Sequence, residues 1–80
     1  MNSKPYSFHC DLGEVRVTPA SQFDEDRQPH PFLVQIIPDN ILLPAETIKV
    51  EEPYYFCAAA EAVDLFKEKH KLNPTTTWAI

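Results

Sequence analysis

One glycine against eight prolines in a chain of 80 residues narrows the folds open to it more than any motif does. Proline fixes φ and has no N–H, so it belongs at the ends of elements, in turns and on edge strands. Eight of them cut the chain into short elements, with turns built by proline, asparagine and aspartate. The lone glycine, Gly13, marks the one place where the backbone can go where other residues cannot.

Period-2 patterns come first. In YSFHCDL, residues 6–12, Tyr6, Phe8, Cys10 and Leu12 alternate with Ser7, His9 and Asp11, as in a half-buried strand. Val15 and Val17 resume the alternation on the opposite parity, and the flip falls at Gly13. A hairpin turning at DLGE fits this, with one long bulged strand as the rival. FLVQII, residues 32–37, reads as a central strand covered on its core side. PDN, residues 38–40, is a turn by its chemistry. ILLPAETIKV, residues 41–50, resumes strand character, with Pro44 confining it to an edge or splitting it, and EEP breaks it.

PYYFCAAAEAVDLFKEKHKL, residues 53–72, then switches period. YYF reads as a short strand running into an amphipathic helix over about 58–72. Its apolar line is Ala59, Val63, Phe66 and His70, flanked by Ala62, Leu65, Lys69 and Leu72. The polar line is Glu61, Asp64, Glu68 and Lys71. Asn73-Pro74 ends the helix. TTTWAI allows a last strand over 75–80. The expected fold is α+β: an antiparallel sheet of about three to five short strands, one helix packed on one face. Residues 1–80 form a single small domain, with an acidic flexible loop at about 19–31. A chain this short buries only about 60% of its unfolded surface, so its stability is marginal.

MNSKPYSFHC has no apolar run of signal-peptide length, and no later segment is fit to cross a bilayer. The expectation is a soluble cytoplasmic protein with Cys10 and Cys57 reduced. Net charge is −5, but between Asp11 and Asp64 eleven acids stand against only Arg16, Arg27 and Lys49. Direct nucleic-acid binding needs a basic footprint that this chain lacks.

Cys57, where the helix begins, could be an activated thiol, but no histidine is spaced to serve it as a base, and small packed cysteines are common. His9, Cys10, His30, Cys57 and His70 show none of the close ligand pairs of a zinc site. No cofactor or metal is expected, and no enzyme activity. The reading that remains is a small interaction protein whose acids stand in for phosphates on a basic, nucleic-acid-binding partner. Phage-encoded anti-defence inhibitors (anti-CRISPR-like proteins) offer an analogy of size and charge. The candidate contact residues are Asp24, Glu25, Asp26, Glu51, Glu52, Glu61, Asp64 and Glu68, with Tyr54 and Tyr55 as anchors. The alternative is a structural subunit that self-associates, as a homodimer, through a sheet edge or an uncovered apolar face. A thiol enzyme using Cys57 ranks third.

Overall fold

A computed structural model describes residues 6–20 and 30–79. Four strands, β1 (Tyr6–Cys10), β2 (Gly13–Pro19), β3 (His30–Pro38) and β4 (Glu46–Glu52), are followed by one helix, α1 (Tyr55–Lys69). The strands pair antiparallel in chain order, β1-β2-β3-β4, and the helix lies on one face. The fold is α+β, as the patterning implied. Alternation explains which face is covered: Val15 and Val17, Phe32, Val34 and Ile36, and Val50 all point to the helix and are buried. Ala58, Ala59, Ala62, Val63 and Phe66 meet them from α1. The other face carries Ser7, His9, Arg16, Gln35, Thr47 and Lys49, all exposed. The nearly continuous apolar run of β3 is thus divided, with Leu33 and Ile37 alone among its apolar residues on the polar face.

β1 and β2 form a tight hairpin, with Cys10 opposite Gly13 and only Asp11 and Leu12 between them. The hairpin, not the long bulged strand, is the outcome. Gly13 has φ of +142°, and a Cβ there would lie 2.5 Å from the Ile37 carbonyl oxygen and 2.8 Å from the Asp39 nitrogen. Close approach between neighbouring strands reserves the position for glycine. The prolines behave as punctuation: Pro19 and Pro38 end strands, and Pro31 sits in the second position of β3. Pro44 has a larger effect than splitting a strand. Residues 41–45 stay outside the sheet, and β4 starts at Glu46 and continues through Glu51 and Glu52.

The helix also departs from expectation. It spans Tyr55–Lys69 rather than 58–72, so YYF is not a strand. Tyr54 is the N-cap, extended at φ −135° and ψ 156°, and its carbonyl accepts from Ala58 N–H at 3.0 Å. No side chain caps this end. Ring packing overrides the β propensity of the triplet: Tyr55 lies 4.3 Å from the Tyr6 ring and 4.9 Å from Phe32. At the other end Leu72 N–H donates to Lys67 C=O at 2.8 Å and Lys71 N–H to Glu68 C=O at 3.2 Å. This is a Schellman closure, and its left-handed residue is Lys71, φ +56°, where glycine is the usual occupant.

The last segment is not a full strand. Residues 75–79 contribute one bridge, Trp78 to Cys10, flanked by Asp11 N–H to Thr77 C=O at 3.0 Å and Ala79 N–H to His9 C=O at 2.8 Å. What holds it is Lys67, the one buried charged residue among those described, 2% exposed. An ammonium has three donors. Lys67 Nζ uses them on Asp11 Oδ2 at 2.9 Å, Thr75 C=O at 2.6 Å and Thr76 Oγ1 at 3.0 Å. The helix face thus differs from the simple stripe: Lys67 is inside, while Leu65 is 44% exposed.

Three substitutions check this account by chemical denaturation. Gly13→Ala is expected to destabilise by about 2 kcal/mol, since Cβ meets backbone and the φ is strained. Lys71→Gly is expected to stabilise by about 1 kcal/mol, because it removes the cost of a left-handed side-chain-bearing residue. Lys67→Met should cost about 1–3 kcal/mol by stranding its acceptors. Amide exchange at Asp11 and Ala79 should rise in that variant while β2 and β3 stay protected.

Candidate interaction surface

Acids and bases are sorted by role. Lys67 is taken up by Asp11, Arg16 by Glu14 at 2.6 Å, and Lys69 with His70 by Glu46 at 3.1 and 3.0 Å. Each of those three carboxylates is held below its ordinary pKa, by its hydrogen bond from Lys67, Arg16 or Lys69 first of all. Glu51, Glu52, Glu61, Asp64 and Glu68 have no ion-pair partner among the described residues.

Four of these five share one side of the molecule. Glu52 ends β4 on the helix side of the sheet, and its carboxyl meets that of Glu61 from the second turn of α1. Glu61, Asp64 and Glu68, spaced by three and four residues, run along the helix away from the core. Contact with Glu52 is the main cause of a raised Glu61 pKa, with burial second and Asp64 adding to it. Glu51 stands apart: exposed, it points to the opposite face of the sheet beside Lys49. Asp24, Glu25 and Asp26 lie outside the described residues.

The two proposed aromatic anchors separate. Tyr54 is 65% exposed at the helix entrance. Tyr55 is half-buried between Tyr6 and Phe32, and burial pushes its phenol above the ordinary value. Its neighbour Phe56, which sequence reasoning did not single out, is 46% exposed. It packs 5.5 Å from Phe8 and 4.9 Å from Trp78 on the β1 side of the helix, opposite the acids. Tyr6, 56% exposed, borders the same aromatic cluster. Nothing in the spacing joins Phe8 to Trp78; the bridge at Cys10 does. A further apolar tip, Ile41 and Leu42, is 95% and 86% exposed in the β3–β4 connection.

Cys10 and Cys57 are unbonded thiols, each partly exposed. Among the described residues no group of three or more His, Cys, Asp and Glu is placed to hold a metal ion, and no helix is long and apolar enough to cross a membrane. Comparison with protein-family models, with curated proteins and with solved structures gives no match.

The carboxyl pair dictates a pH response. Glu61 binds its proton more tightly folded than unfolded. As pH falls from neutral through its raised value towards the ordinary 4.5, stability is therefore expected to rise. Below that range Asp11, Glu14 and Glu46, whose folded values are depressed, reverse the trend as they are protonated. Glu61→Gln should remove the rise and stabilise the fold at pH 7 by about 0.5 kcal/mol, the scale of one screened pair. Melting temperatures of both proteins across pH 3–8 measure this.

Proposed function

We propose that this protein is a small acidic, non-enzymatic interaction module that docks on a basic, nucleic-acid-binding surface of a partner protein. Glu52, Glu61, Asp64 and Glu68 take the positions that phosphates would occupy, facing lysine and arginine across the interface. Tyr54, exposed where the strand hands over to the helix, supplies an aromatic contact at one end of this strip.

One observation carries the reading. Three of the described cations are spent on Asp11, Glu14 and Glu46, while Glu52 and Glu61 are left in like-charge contact. A contact that costs stability in the isolated protein suits a surface whose compensating charges come from elsewhere. Inhibitors of nucleic-acid-binding effectors, phage-type anti-defence proteins among them, are the class this describes, and such a target places the protein in the cytoplasm.

The test is capture of partners by the wild-type protein and by the triple variant Glu61→Lys, Asp64→Lys, Glu68→Lys. All three side chains lie outside the core, so the variant should stay within about 1 kcal/mol of wild type. The expected partner binds nucleic acid, is displaced by added DNA or heparin, and leaves as salt rises from about 0.1 to 1 M, where the screening length falls from about 10 to 3 Å. Binding by the variant should fall at least tenfold. A partner held equally by both proteins, indifferent to salt and polyanion, overturns the proposal.

A further inference from the structure

The two edges of the sheet are finished differently. On β1 the outward carbonyl of His9 and N–H of Asp11 are taken by Ala79 and Thr77. On β4 the described residues offer no such cover. Which backbone groups it presents follows from the register. Ala20 N–H donates to Pro31 C=O, so Pro31 turns its polar groups to β2 and Phe32 turns its own to β4. Val50, opposite Phe32, therefore points inward. Thr47, Lys49 and Glu51 turn their N–H and C=O groups outward, away from β3.

An open edge of this kind is a template for another strand, and natural edges are usually guarded by charge. Here the charges are of opposite sign two residues apart. Of the antiparallel pairings that use those outward groups, one centred on Lys49 sets lysine against lysine. One centred on Ile48 pairs Lys49 with Thr47 and leaves Glu51 beyond the strand. The pairing centred on Val50 sets Lys49 opposite Glu51 of the second copy, twice, and Val50 against its counterpart. Opposite charges directly across a strand pair are favourable and like charges are not.

The helix brings an exposed apolar side chain to within about one residue of that centre. Glu61 meets Glu52 at one end of β4, and Lys69 meets Glu46 at the other. Leu65, midway between them and exposed, is level with the middle of the strand. We infer that this protein forms a two-fold homodimer by antiparallel pairing of β4 with β4 of a second copy, about Val50, giving one continuous eight-stranded sheet. Across the axis the two Leu65 side chains lie about one residue to either side of the centre, and Lys69 of the second copy lies on the side of Glu61. An isologous contact of this type needs each patch to complement itself. The inference does not rest on the acidic docking surface: Glu52 and Glu61 border the seam, and Asp64 and Glu68 stay exposed in the dimer.

Sedimentation equilibrium over about 10 µM to 1 mM tests it. Wild type is expected to approach twice the 9.2 kDa chain mass. Lys49→Glu and Glu51→Lys should each weaken association at least tenfold, and Leu65→Asp should do the same from the helix side. The double variant Lys49→Glu, Glu51→Lys should recover the dimer, since swapped charges still face each other only in the Val50 register. Circular dichroism of each variant checks that the monomer stays folded. A wild type that is monomeric throughout, single variants that dimerise unchanged, or a double variant that fails to recover overturns the inference.

Discussion

A lysine ammonium inside a small protein is tolerable only if every donor is used, and Lys67 shows what that requirement organises. Its three acceptors come from the β1–β2 turn and from two adjacent residues near the chain's end. By satisfying itself, one side chain joins the helix, the hairpin and the final segment. Through that segment it also closes the β1 edge and brings Trp78 to Phe8 and Phe56. The cluster at Phe56 and the covered edge are consequences of where one charge is buried. Asp11 is 44% exposed, so water softens the pair, and the two threonine acceptors hold the ammonium as much as the carboxylate does.

The remaining electrostatics follow a division of labour. Cations sit where carboxylates join elements: Arg16 on Glu14 along β2, Lys69 on Glu46 between helix and strand. These surface pairs add little stability each, but they use up positive charge. The field outside the β4–helix side is consequently more negative than the net charge suggests.

Much of the sheet was legible because a strand with one buried face writes its period directly. Tyr6 to Leu12 and Val15 with Val17 alternate cleanly, Phe32 to Ile37 announced a central strand by its apolar run, and the parity flip at Gly13 left a hairpin or a bulged strand as the two readings. The helix body was legible from Ala59, Val63 and Phe66. Its start was not, since Tyr54 and Tyr55 favour extended backbone, while packing against the Tyr6 and Phe32 rings draws Tyr55 into the helix. Lys67 was opaque for another reason. Two of its acceptors lie 8 and 9 positions away along the chain and one 56 positions away, a geometry that no local pattern encodes. Of the candidate surface, the helical acids could be read from their spacing. The meeting of Glu52 with Glu61 depends on how α1 crosses β4, which spacing does not contain.

Topology has a last consequence, for how such a chain is made. The sheet is a meander of neighbours, so each hairpin can close as soon as its second strand has been synthesised, at little loop-closure cost. Its apolar face has nothing to lie against until α1, last of the described elements, is complete. The tether at Lys67 waits for residues 75 and 76. Without the helix, the sheet would display Val15, Val17, Val34 and Ile36 to solvent. The complete core therefore forms only once α1 and residues 75 and 76 are available to the sheet. Until then the apolar face of the sheet is a surface on which unfinished chains can associate.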